Sequence, residues 1–179
     1  MTMTINKEVL KVFDKLEKLN PEAKFLSESA LSTVNSWIDT GCMVLNSIIS
    51  GSLYGGVPVG RITGFAGPSA AGKTYIINKI LANAQKAGMM PVIFDTEAAI
   101  DASSTTGVGL DPKGVKYVPV QTVEECRNQI SAFLDSVMEA KMNGKFIISI
   151  DSLGNLASQK EIDDAEKGKT AMDMGTRAK

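Results

Sequence analysis

The run Gly67-Pro-Ser-Ala-Ala-Gly-Lys-Thr74 limits what this chain can fold into more than any other stretch. It matches G-x-x-x-x-G-K-[ST] at every fixed position, and such a loop works only where a strand ends and a helix begins. The flanks agree with that demand. Arg61 to Ala66 reads as a short strand entering the loop. A helix is expected from Lys73, with Ile76, Ile77, Ile80, Leu81 and Ala84 on one face and Gly88 at its end. Glycine at 67 and 72 permits dihedrals and a close approach that a Cβ would block, so the loop's backbone N–H groups can wrap phosphates. The positive end of the following helix adds to the attraction. Gly67, Pro68, Ser69, Ala70, Ala71, Gly72, Lys73, Thr74 and Tyr75 are therefore the expected nucleotide-binding set, with ATP as ligand. Lys73 is expected to reach the β- and γ-phosphates, and the Thr74 hydroxyl to sit on magnesium.

The rest of the chain supports a sheet covered by helices. Pro91 to Asp95 is a near-continuous apolar run, as a strand buried on both faces requires. Val115 to Val120 and Phe146 to Ile150 read as further strands. Thr122-x-x-Glu125 has the form of a capping box ahead of Val123, Cys126, Ile130, Phe133, Leu134 and Val137, and Asn143-Gly144 closes that helix. Strands alternating with helices imply a mostly parallel sheet in an α/β fold. Upstream, Ile5, Val9, Phe13 and Leu16 recur at helical spacing until Asn20-Pro21, which predicts a short amphipathic helix. That helix packs either on its own domain or, as an arm, on a neighbouring subunit. Residues 1–34 are read as this N-terminal arm and residues 35–179 as the core. Four parallel strands are few for such a core, so the chain is expected to be the front part of a longer protein.

Composition matters mainly for what it excludes. The 179 residues include no histidine and two cysteines, Cys42 and Cys126. Zinc sites and histidine-based general-base chemistry are therefore not expected. A net charge of −1 gives no overall basic surface for nucleic acid, so any DNA contact must come from a local patch. No stretch approaches the roughly 18 apolar residues of a membrane span, and no signal peptide is visible; a cytoplasmic protein without a membrane partner is expected. The remaining chemistry falls to carboxylates. Asp151 ends an apolar strand on the sheet edge where open α/β folds bind ligands, and can hold magnesium through water. Glu97, two residues beyond the strand ending at Asp95, is the candidate acceptor for an attacking water, with Asp95 and Asp101 as rivals. Glu97 and Lys73 are the expected catalytic residues.

At this point the chain resembles the RecA family of recombinases, and most closely the UvsX-type recombinases of tailed phages. The matching residues begin at Trp37-Ile-Asp-Thr-Gly41 and continue through Gly55-Gly-Val-Pro-Val-Gly60 and the glycine-rich loop. They run on through Val92-Ile-Phe-Asp-Thr-Glu97 and Gly109-Leu-Asp-Pro112, and are most specific at Ile150-Asp-Ser-Leu-Gly-Asn-Leu-Ala157. The resemblance implies a RecA-like P-loop core that polymerises on single-stranded DNA with ATP and drives homologous pairing and strand exchange in recombination and repair. Such a protein is a DNA-dependent ATPase, in the host-cell cytoplasm if phage-encoded, and recombination mediator proteins are among the partners implied. It assigns Asp151 to magnesium, Glu97 to the attacking water and the N-terminal helix to self-association into a filament. Asp101 falls where the family contacts adenine, although no aromatic stands in Ala102 to Thr106 to stack there. Residues 163–179 lie where the family has its first DNA-binding loop, which makes Lys167, Lys169 and Arg177 the candidate phosphate contacts. A nucleotide-binding fragment without strand exchange and a hexameric helicase remain the alternatives.

Overall fold

The computed structural model describes residues 6–29, 32–98, 100 and 102–167. The expected contacts Lys169 and Arg177, and Asp101, lie outside the described residues. The chain divides into two compact units, Met1–Asn35 and Ser36–Lys179.

In the first unit, helix α1 (Lys7–Leu19) starts where the Asn6 side chain accepts the Glu8 N–H at 2.9 Å, and it ends one residue ahead of Asn20-Pro21. Its apolar side chains are not covered within the unit. Val9, Leu10, Val12, Phe13, Leu16 and Leu19 are all exposed, and Phe13 meets Phe25 edge to face at 5.6 Å.

The second unit is built on a three-stranded parallel sheet of order β4-β3-β5, with β3 (Met90–Asp95) between β4 (Lys116–Pro119) and β5 (Phe146–Asp151). Side chains alternate across the central strand. Ile93 joins Leu81, Ala82, Val108 and Leu110 on the face covered by α3 (Lys73–Lys86), while Val92 and Phe94 join Cys126 and Leu156 on the face covered by α5 (Val123–Glu139). Two covered faces account for the unbroken apolar run of β3. Phe133 of α5 and Phe146 of β5 close the second face edge to face at 5.1 Å. A two-stranded antiparallel ladder, β1 (Trp37–Ile38) with β2 (Val57–Pro58), packs Ile38 and Val57 against Ile80 and Ala84 on the flank of α3. Gly56, at φ 138°, lets β2 approach this closely, because a Cβ there would run into the Ile38 carbonyl. Helix α2 (Met43–Ser50) is tied to β1 by the buried Asn46. Its amide accepts from the N–H and hydroxyl of Thr40 and donates to Asp39 and the Leu53 carbonyl, so all four of its hydrogen-bonding positions are filled.

Several details correct the sequence-based expectation. Arg61 to Ala66 forms no strand. Among the described residues it pairs with no ladder; Phe65 packs against the cluster of Ile38, Val57, Ile80 and Ala84, but Ile62 is fully exposed. An apolar segment becomes a strand only when a neighbouring segment takes its backbone hydrogen bonds in a ladder, and no described segment does so here. The parallel sheet thus has three strands in place of the four expected. The capping box at Thr122 is half formed. The Thr122 hydroxyl accepts the Glu125 N–H at 3.0 Å, but the Glu125 carboxylate takes the N–H of Gln121 at 3.1 Å in place of that of Thr122. A complete box stands instead at Ser158 and Glu161, opening a helix, α6 (Gln159–Glu166), that the polar composition there did not reveal. Two further short helices, α2 and α4 (Ala102–Gly107), also lacked a visible period.

Candidate nucleotide site

Asp95 and Asp151 end paired strands in register, so the carboxyl ends of β3 and β5 emerge side by side. The glycine-rich loop arrives at the same edge. Gly72 takes the left-handed conformation, φ 83°, as the residue before α3, and Ala70 takes it at φ 59°. The first intrahelical bond of α3 runs from Ile76 N–H to the Gly72 carbonyl, so the N–H groups of Lys73, Thr74 and Tyr75 belong to the open first turn. No backbone dihedral demands glycine at 67, and a Cβ there would meet only Ala71 at 3.8 Å. What glycine keeps clear at that position is the space over the loop, the cradle an anion would fill.

Three side chains of the expected set have defined surroundings. Thr74 Oγ1 donates to Asp151 Oδ2 at 2.6 Å, joining the first turn of α3 to the end of β5 across 77 residues of sequence. Lys73 lies at the loop, its Nζ donating to the carbonyls of Gly67 at 3.0 Å and Pro68 at 2.9 Å. Tyr75, also in the expected set, is exposed on the outer side of α3. The Thr74 hydroxyl and the Asp151 carboxylate make an all-oxygen pair beside the loop, and oxygen ligands of this kind suit magnesium completed by phosphate and water. Lys167 follows the last turn of α6, and Asp101 lies outside the described residues.

The carboxylates divide sharply by surroundings. Asp95 is 2% exposed and fully engaged: Oδ1 accepts the N–H groups of Glu97 and Ala98 at 2.9 and 3.1 Å, and Oδ2 accepts the Tyr117 hydroxyl at 2.9 Å. Glu97 is exposed at the sheet edge, where Oε1 accepts Asn155 Nδ2 at 2.6 Å and Ser152 Oγ at 3.2 Å. Thr96 clasps the two strand ends. Its N–H donates to the Asp151 carbonyl, its hydroxyl donates to the Ser152 carbonyl at 3.0 Å, and the same oxygen accepts Ser152 N–H at 2.9 Å. Tyr117, Ser152 and Asn155 are site residues that the sequence does not single out. Ser152 and Asn155 sit in the stretch that carries the most specific resemblance, but nothing local shows that they meet a residue 55 to 58 positions earlier.

The Tyr117–Asp95 bond carries a pH signature. The hydrogen bond to Asp95 comes first, then burial and the negative charge of Asp95, and together they hold the Tyr117 phenol above its ordinary value. The bond's stabilisation is in full force below the ordinary phenol value of about 10 and is lost as pH rises through the elevated folded-state value. Tyr117→Phe is expected to flatten this alkaline fall in melting temperature, and melts of both proteins across alkaline pH check it. Parallel curves would show that the bond contributes nothing.

A helix-covered parallel sheet, with a glycine-rich loop leading into α3 and an aspartate at the end of β5, defines a RecA-like P-loop core. The comparisons narrow this. The model of the RecA N-terminal domain family matches residues 9–179, and the chain belongs to that family. It is 33% identical over 144 residues to the recombination and repair protein of Enterobacteria phage T4, covering 79% of this chain and 36% of that protein. It is 29% identical over 140 residues to protein RecA of Chlorobium chlorochromatii, covering 78% of this chain and 37% of that one. A match of 29% over 123 residues joins it to the mitochondrial DNA repair protein recA homolog 3 of Arabidopsis thaliana, covering 69% and 27%. The chain thus spans little more than a third of the length of the first two relatives. No helix among the described residues is long and apolar enough to cross a membrane.

Proposed function

We propose that this chain is the ATP-binding front of a DNA recombinase, which polymerises on single-stranded DNA and carries out homologous pairing and strand exchange. The observation that carries the reading is the 2.6 Å bond between Thr74 and Asp151 at the mouth of the glycine-rich loop, in a chain of this family. The loop and the first turn of α3 bind the phosphates through backbone N–H groups, and Lys73 leaves the Gly67 and Pro68 carbonyls to meet the β- and γ-phosphates. Thr74 and Asp151 hold magnesium, which when bound offsets phosphate charge. Glu97 orients a water for in-line attack on the γ-phosphorus and accepts its proton as the bond to the leaving ADP breaks. The exposed apolar face of α1 favours its docking on a neighbouring protomer over a purely internal role. Lys167, Lys169 and Arg177 are the proposed DNA phosphate contacts, and mediator proteins the proposed accessory partners.

The full-length protein, incubated with single-stranded DNA, is expected to form filaments only when magnesium and ATP are both present, and to pair that strand with a homologous duplex. Electron microscopy and a joint-molecule assay read the two steps. Nucleotide binding without filaments or pairing would reduce the protein to a nucleotide-binding module.

A further inference from the structure

At the sheet edge, the Glu97 carboxylate is gripped by two side chains on one oxygen and left open on the other. Oε1 accepts from Asn155 at 2.6 Å and from Ser152 at 3.2 Å, whereas Oε2 has no partner among the described residues. The grip is built from several directions. Asp95, itself pinned by Tyr117, fixes the backbone of Glu97 from beneath, and Thr96 locks the end of β3 to Ser152 through paired hydrogen bonds. Asn155 and Ser152 arrive on the turn that follows β5, the strand that also brings Asp151 to Thr74. The fold thus carries the carboxylate and its two donors to one place with little freedom remaining at Oε1.

We infer that Asn155, assisted by Ser152, is the positioning residue for Glu97 in ATP hydrolysis. The inference rests on the role proposed above for Glu97. A carboxylate on a flexible side chain samples several rotamers, and a general base gains most when its acceptor oxygen is already aimed at the water. Two donors on Oε1 fix the plane of the carboxylate and leave Oε2 as the oxygen that receives the proton. Asn155 suits the task because its amide donates without a charge, so it orients the carboxylate without neutralising it as a lysine or arginine would. Among the described residues Asn155 makes no hydrogen bond to the glycine-rich loop or to Thr74, so nucleotide binding is not expected to depend on it.

Steady-state hydrolysis by the full-length protein on single-stranded DNA tests this. Asn155→Ala is expected to lower kcat by roughly 10- to 100-fold with KM for ATP unchanged, the scale set by misplacing a reacting group. Asn155→Asp is expected to lose at least as much, because its carboxylate would face Oε1 and push Glu97 aside. Both variants should melt with the wild type, since Asn155 is exposed. Ser152→Ala should give a smaller loss that Ser152→Thr, which keeps the hydroxyl, restores. Asn155→Ala in a Glu97→Gln background should cause no further loss, because the two act as one unit. An unchanged or raised kcat in Asn155→Ala, beside an inert Glu97→Gln, would overturn the positioning role while leaving Glu97 in place. Wild-type turnover in Glu97→Gln, or no turnover in the parent protein, would overturn both.

Discussion

Lys73→Ala is expected to abolish the rise in melting temperature that magnesium–ATP gives the wild-type chain. A ligand at 100 times its dissociation constant stabilises the state that binds it by about 2.7 kcal/mol. For a domain of this size that corresponds to roughly 5–10 °C, taking about 2–4 °C per kcal/mol. Lys73 Nζ is held by the carbonyls of Gly67 and Pro68, both in an exposed loop. Losing those bonds changes the unliganded melting temperature little, because exposed carbonyls return to water. The contrast is therefore clean: similar melts without nucleotide, and a shift only in the wild type when magnesium–ATP is added. Thermal melts with and without ligand read both halves. A full shift in the variant would remove Lys73, and with it the loop, from the phosphate site.

Glu97→Gln is expected to keep that nucleotide-dependent shift while hydrolysis falls by about 10²–10⁴-fold, the range attributed to a positioned proton acceptor. The substitution is close to ideal sterically. A glutamine carbonyl oxygen can still accept from Asn155 and Ser152 in the place of Oε1, so the turn after β5 keeps its contacts. The position of Oε2 then carries an amide, which donates and cannot receive a proton. Single-turnover phosphate release, measured beside ligand-dependent melting in the full-length protein, separates binding from chemistry. Wild-type turnover would move the proton acceptor elsewhere. Asp95 is a poor replacement, because it is buried and both its oxygens are already engaged.

Local chemistry makes much of this protein legible in its residues. The loop at Gly67–Thr74 stands out because a cradle for phosphate needs glycine, lysine and threonine at fixed spacing, and helix α3 follows from a period of 3.6 that the fold buries as Ile80, Leu81 and Ala84. Strand β3 is visible because burial on two faces leaves no polar alternation, and β5 because an apolar run ends abruptly at Asp151. Expectation and structure part where a local signal meets a non-local condition. Arg61–Ala66 has the composition of a strand, but a strand exists only in a ladder, and no described segment pairs with it. Helix α6 is hidden the opposite way. Its Ser158–Glu161 box is present in the sequence, but Asp163, Asp164 and Glu166 make the run look like solvated surface.

The order of residues was enough for the fold class, the position of the glycine-rich loop and the residue types available for chemistry there. These follow from periodicity, turn chemistry and the lack of histidine, and the first two are properties of near neighbours in the chain. The surroundings of each carboxylate belong to the tertiary structure. It buries Asp95 beneath Tyr117, sets Asp151 against Thr74, and presents Glu97 to Asn155 and Ser152. The reason is physical: a hydrogen bond needs its two partners within about 3 Å, and the parallel pairing of β3 with both β4 and β5, together with α3 against that sheet, brings such distant residues that close.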